Sequence, residues 1–173
     1  MREASAKIGE TVTLAAFAGS KVVLMAVEEG AGALRFYSEL GQDMPYHASA
    51  PAKLLLAWQP ENIQKAILRS VQYKAYTDKT IQDEETLKAE LMRIRRTGVS
   101  YCMGELEPFC AAVAVPVFDV RGGVPLAMTA VGHDFRMEQN MDQIVASLRE
   151  AAARAGTIIA QAGLATEVRK NRK

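Results

Sequence analysis

A chain of 173 residues with 49% hydrophobic residues can bury one full core, and 24% charged residues with 12 glycines and 6 prolines exclude a disordered composition. Lys and Arg number 21 against 20 acids, so a net charge of +1 gives no reason to expect the chain to wrap nucleic acid by itself. Two cysteines make no disulfide framework, no signal-peptide pattern opens the chain, and no apolar run is long enough to span a membrane; the reading is a reduced, soluble, cytoplasmic protein without a membrane partner.

Residues 1–8 read as the end of a helix stopped by Gly9. An amphipathic stub is a weak start for a domain and points to a domain upstream. Glu10 to Ala18 alternates, with Val12, Leu14 and Ala16 on one face and Thr11 and Thr13 on the other. Gly19-Ser20 is a turn, and Lys21 to Glu28 is a second strand. After Gly30-Ala31-Gly32 a third strand is expected over Leu34 to Glu39, so the first part of the chain reads as an antiparallel meander.

The next stretch, Met44 to Trp58, is where strands give way to helices. Its first half is small and polar, and its second half is apolar. Ser49 fits an N-cap and Pro51 fits the first turn of a buried helix running to Trp58. Unpaired amides at such a start, with the positive pole of the helix dipole, suit an anion. Pro60 opens a second helix to about Arg69, residues 70–81 are loop, and Asp83 caps a third helix in which Leu87, Leu91 and Ile94 share a face before Gly98.

Val99 to Met103 and Ala111 to Phe118 read as strands, the second buried on both faces. Pro116 lacks an N–H and must sit at an edge or a bulge. Asp119 to Gly123 is a hairpin turn, Val124 to Gly132 the returning strand, and one long helix runs from about Glu138 to Ala162. Its stripe is Met141, Ile144, Val145, Leu148, Ala152, Ala155 and Ile159. Three strands, three helices, three strands and a helix make an α+β domain: about six antiparallel strands with helices packed on them. A pocket is expected between the helix start and the sheet. The basic run Arg169-Lys170-Asn171-Arg172-Lys173 reads as a solvated tail.

Phosphate-binding glycine patterns and serine nucleophile elbows are missing, and no cofactor is called for. Cys102, Glu105 and Cys110 flank one loop that His47 could face. These residue types ligate zinc, which allows a metal-binding sensor using Cys102 with His47 or Glu105, although the Cys-x7-Cys spacing matches no zinc motif. The same groups allow a Cys–His nucleophile in a small enzyme acting on an organic acid, with no third group to orient the base. The plain alternative is two half-buried cysteines and a helix-start histidine. Lys53 either snorkels from a helix edge or pairs with a carboxylate across an interface. His133 and Asp134 read as exposed turn residues.

Ordered blocks resemble the IclR family of bacterial transcription regulators: Gly9-Glu10-Thr11-Val12, Leu34-Arg35-Phe36-Tyr37, Pro45 to Lys53, the Tyr76-Thr77 to Ile81 loop, Arg93 to Gly98 and Phe118-Asp119. The resemblance covers roughly residues 9–162. It implies a GAF/profilin-like effector-binding domain at 9–163. Residues 1–8 would then be the end of a linker helix and 164–173 a basic tail. A winged helix-turn-helix domain outside this chain would carry the DNA contact. It also implies a non-enzymatic homo-oligomer, dimer or tetramer, that binds a small organic acid. Carried over by position, the family's helix-start contacts fall on Ala50 and Pro51. Its apolar wall falls on Phe36 and Met44, with Ala33 and Leu34 nearby. An acidic position falls on Cys102, an often-cysteine position on Ala112, and two small or hydroxyl positions on Thr129 and Val131. Ala50-Pro51-Ala52-Lys53 departs from the glycine-bearing helix start common in the family, and Cys102 and Val131 replace polar residues. The expectation is a drier pocket with fewer donors, suited to a larger, apolar or aromatic acid.

Overall fold

The structure is a computed structural model that describes residues 1–32 and 39–170, with side chains described through residue 161. Helix α1 (Arg2–Ile8) ends at Gly9, whose φ of 75° closes it in the left-handed conformation. Strands β1 (Thr11–Ala18) and β2 (Lys21–Glu28) follow as a hairpin. Leu14 faces Ala26 and Ala15 faces Leu24, so Met25 is left unpaired in a bulge and stands exposed. The third strand expected over Leu34 to Glu39 lies, up to residue 38, outside the described residues.

Strands β3 (Ser100–Met103), β4 (Cys110–Val117) and β5 (Leu126–His133) complete the sheet. Among the described residues it has five antiparallel strands, in the order β2-β1-β5-β4-β3, where the sequence reading expected about six. Pro116 was expected at an edge or a bulge, yet β4 is an inner strand and its register with β5 runs unbroken through Pro116. The reason it fits is the shortness of β3, which pairs only as far as Ala114 of β4. Pro116 therefore faces a ladder on the β5 side alone, opposite Ala127.

Helices cover both faces of the sheet. On one lie α2 (Ala50–Ala57), α3 (Glu61–Ser70) and α4 (Glu84–Thr97). On the other lie α1, α5 (Asp134–Gln139) and α6 (Met141–Lys170). Strand β4 feeds both cores, sending Ala112 and Ala114 to the first and Ala111, Val113 and Val115 to the second. That is why its sequence is apolar without alternation. The Asp83 carboxylate accepts a hydrogen bond from the Thr86 amide at 2.8 Å to cap α4, and Gly98 with φ 70° closes it.

All eight residues of α2 are buried. Leu54, Leu55 and Leu56 are consecutive and so point in three directions around the helix; each finds a packing surface, because α2 lies between the sheet and α4. Each such burial contributes about 1.5–3 kcal/mol as an upper estimate.

Two helical details differ from the sequence reading. His133 and Asp134, read as a turn, start the separate helix α5, where the His133 imidazole accepts from the Phe135 amide at 3.4 Å. Histidine is outside the usual capping set, so the start carried no signal. Helix α6 also continues past the expected end near Ala162 to Lys170. Its expected stripe does pack on the second core, with Ile144 and Leu148 buried at its centre. Among the described residues no helix is long and apolar enough to cross a membrane.

Gly156 of α6 lies against the β4–β5 hairpin: a Cβ added there would stand 2.5 Å from the Phe118 carbonyl oxygen. Alanine is the better helix former by about 1 kcal/mol. The clash with backbone outweighs this, so Gly156→Ala should lower the urea midpoint. An unchanged or raised midpoint would show that the helix and hairpin are not in close contact.

Candidate functional site

The turn before α2 is tight. The amides of Ala48 and Ser49 both donate to the Pro45 carbonyl, at 3.3 and 3.1 Å. Ser49 has the extended backbone of an N-cap, with φ −125° and ψ 136°. Its hydroxyl makes no capping bond and is buried without a partner. The first helical bond runs from the Lys53 amide to the Ser49 carbonyl at 3.0 Å, and Pro51 has no amide hydrogen. The start of α2 thus leaves the Ala50 and Ala52 amides without helical acceptors, at the positive end of the dipole.

Beneath this start the sheet is lined with small side chains. Two cross-strand rows face α2: Val131, Ala112 and Cys102 in one, and Thr13, Thr129, Ala114 and Ser100 in the other. They are too short to meet the helix everywhere, and a cavity of about 400 Å³ remains. Met44, Pro45, Ser49, Ala50 and Pro51 close it from the helix side, and Tyr76, Leu106, Glu107 and Cys110 from the loops. A larger recess of about 680 Å³ lies on the opposite side of the sheet, between Phe118, Val120 and the α6 residues Ala153 and Gly156. It is a mostly apolar surface trough whose wall includes the C-terminal end of α4 at Gly98, the negative pole of that helix, and no buried polar side chain among its described residues, so the smaller cavity is the candidate site.

Of the ten residues singled out from the sequence, Met44, Ala50, Pro51, Cys102, Ala112, Thr129 and Val131 line this cavity. Ala33, Leu34 and Phe36 lie outside the described residues. The sequence reading missed Thr13, Ser49 and Tyr76 as wall residues. Thr13 was placed on the face of β1 opposite Val12 and Leu14, but that face is covered by α2 and is not solvated. The expectation of few donors needs correction: hydroxyls of Thr13, Ser49, Thr129 and Tyr76 stand in the wall, and those of Ser49 and Thr129 are buried without partners.

Behind the cavity, Lys53 does not snorkel; it pairs with carboxylates that other elements bring to it. It is 1% exposed, and its ammonium donates to both Glu105 oxygens at 2.8 and 2.6 Å, with Glu90 at 3.6 Å. Burial pushes the Glu105 carboxyl above its usual range, although Lys53 pulls it back. Burial also pushes Glu90 up, but Arg93 and Lys53 together outweigh it and hold Glu90 below the usual range. The Glu105 carbonyl accepts from Thr80 at 2.6 Å and the Gly104 carbonyl from Thr77 at 2.7 Å, which ties the Tyr76 loop to the same block.

The metal reading is overturned. His47 is engaged at Nε2 with the Lys74 carbonyl at 2.9 Å and packs against Tyr73 and Tyr76. Glu105 is held by Lys53, and the Cys102 thiol donates to the Ala48 carbonyl at 3.1 Å. Among the described residues no three His, Cys, Asp or Glu side chains gather to hold a metal ion. The nucleophile reading fares no better. Burial and then the Glu105 charge push the Cys102 thiol up, and burial with Cys102, Glu107 and Asp134 pushes Cys110 up to about 12. Both therefore stay protonated near neutrality.

The family profile described as "Bacterial transcriptional regulator IclR C-terminal" matches residues 1–156. The chain belongs to the IclR family. It is 34% identical over 153 residues to the HTH-type transcriptional regulator KdgR of Escherichia coli, covering 88% of this chain and 58% of that protein. The chain thus spans little more than half the length of such relatives, which are transcription regulators. Among solved structures it matches the transcriptional regulator YaiJ with a TM-score of 0.84 at 28% identity, over 90% of this chain and 88% of that one. It also matches an IclR homolog complexed with 4-hydroxybenzoate from Microbacterium hydrocarbonoxydans, with a TM-score of 0.81 at 26% identity, over 91% of this chain and 63% of that one. The five-stranded antiparallel sheet flanked by helices is the fold of these IclR-family structures.

Lys53→Met would leave Glu105 and Glu90 without their shared cation. A loss of about 3–5 kcal/mol is expected on urea unfolding, with part of it recovered in Lys53→Met/Glu105→Leu. A loss under 1 kcal/mol would show the pair to be incidental. For the thiols, Cys110 is pushed up to about 12, so very little of it is ionised at pH 8 in the folded state. A thiol-reactive probe should therefore modify native protein far more slowly than protein in denaturant, and equal rates would refute the burial argument.

Proposed function

We propose that this chain is the effector-sensing and oligomer-forming part of an IclR-type transcription regulator, and that the cavity beneath α2 binds a small organic acid. The observation that carries this is the pairing of a helix start bearing free amides with the buried, unpartnered hydroxyls of Ser49 and Thr129 around one cavity. The structurally similar homolog holding 4-hydroxybenzoate supports an acid of aromatic size. In this reading the carboxylate sits at the Ala50 and Ala52 amides, and the body of the ligand lies over Ala112, Thr129 and Val131. The ten positions named from the sequence, Ala33, Leu34 and Phe36 included, form the effector site.

The same reading takes residues 9–163 as a GAF/profilin-like effector domain, residues 1–8 as the end of a linker helix and 164–173 as a basic tail. The protein works in the cytoplasm as a homodimer or homotetramer and reaches DNA through a winged helix-turn-helix domain outside this chain. The ligand shifts an equilibrium between two states of the oligomer through its different affinity for them.

A thermal-shift screen with aliphatic, hydroxylated and aromatic carboxylic acids tests this. An acid at about 100 times its dissociation constant adds about 2.7 kcal/mol, a rise in Tm of roughly 5–10 °C for a chain of this size. Ala50→Leu should abolish the shift and Thr129→Val weaken it, with the circular dichroism of both unchanged. If no acid raises the Tm, or if both variants respond as the wild type does, the cavity is not the effector site.

A further inference from the structure

The charges around the cavity are unequal. Two carboxylates line it, those of Asp43 and Glu107, and among the described lining residues none is Lys, Arg or His. Asp43 is neutralised by Lys21 at 2.7 Å. Glu107 is exposed and forms no ion pair among the described residues. It lines the cavity beside Cys110, whose thiol is pushed up mainly by burial and further by the charges of Cys102 and Glu107.

Among the described lining residues the positive counterweight is the start of α2, about half an elementary charge, with one amide removed by Pro51. Outside the lining, Lys74 stands over the Tyr76 ring, 5.1 Å from its centroid, and the Lys79 side chain lies beside Gly104. Lys53 stands only three residues from Ala50, but it is committed to Glu105 and Glu90 behind the helix and does not line the cavity. One carboxylate of a ligand can therefore be met by amides and hydroxyls. A second anionic group finds no cation in the described wall and meets the Glu107 carboxylate.

We propose that Glu107 makes this site selective for charge: the cavity takes a monocarboxylate with an uncharged aromatic or hydroxylated body, and rejects dicarboxylates and phosphorylated acids. This rests on the effector reading above and adds the class of acid to it. The selection acts by repulsion of the wrong ligand, with no added contact to the right one.

The test is titration calorimetry with matched acids on the wild type, Glu107→Gln and Glu107→Lys, at low and high salt. The pairs are benzoate and terephthalate, hexanoate and adipate, and gluconate and glucarate. Glu107 is exposed and its side chain forms no hydrogen bond or ion pair among the described residues, so the variants should melt with the wild type. For any pair that binds, the monoacid should bind the wild type about tenfold more tightly than the diacid, narrowing at high salt. The ratio should fall to about twofold in Glu107→Gln and invert in Glu107→Lys. A diacid that binds the wild type as tightly as its monoacid, or a ratio unmoved by either substitution, overturns the proposal and leaves the effector reading standing. Failure of every acid to bind overturns both.

Discussion

A helix buried on every side has no solvent face on which to keep a charge. Helix α2 is such a helix, and it carries Lys53 in its first turn. The ammonium must find its partners inside the protein, and it does so in Glu105 and Glu90. A buried ion pair of this kind contributes little net stability compared with an apolar packing of the same volume, but it specifies geometry. Glu105 belongs to the loop between β3 and β4, and Glu90 to α4, so one cation holds three separate parts of the chain in fixed relation.

The cavity depends on that arrangement. Its helix side is the start of α2, and its loop side includes Leu106 and Glu107, the residues that follow Glu105. Hydrogen bonds from Thr77 and Thr80 to the carbonyls of Gly104 and Glu105 add the Tyr76 loop to the same frame. The floor comes from the sheet, where threonine, alanine and cysteine in adjacent rows leave space that larger side chains would fill. The void is thus a product of short side chains on one wall and a helix held away from them on the other. The helix start above such a floor brings its unpaired amide end to the cavity at Ser49, Ala50 and Pro51.

Much of the fold could be read along the chain. The turn glycines, the Asp83 cap, the uniform apolarity of β4 and the stripe of α6 are local signals with local causes. The start of α2 at Ser49 was legible too, from a small polar segment running into an apolar one. The errors were of a different kind. Pro116 was read as an edge or bulge residue, because the reach of β3 is set by strand pairing elsewhere. Thr13 was placed on the face opposite Val12 and Leu14 and not in the site, because nothing in β1 says that α2 will cover that face. Ser49 was read as a capping hydroxyl, and the structure leaves that hydroxyl buried and unbonded. Cys102, Glu105 and His47 are close enough in sequence pattern to suggest a common task, yet each bonds to a different group.

The sequence alone determined most of the described strands and helices in their order, the α+β class and the likeness to IclR-family regulators, because these follow from periodicity, capping and ordered motifs that each segment carries by itself. The tertiary structure decided what Lys53 pairs with, which face of β1 is covered, and which seven of the ten named positions meet around one cavity. It also placed Glu107 in the lining of that cavity. The physical reason is that periodicity and capping act over a few residues, whereas burial and charge pairing are set between residues far apart in the chain, such as Lys53 and Glu105.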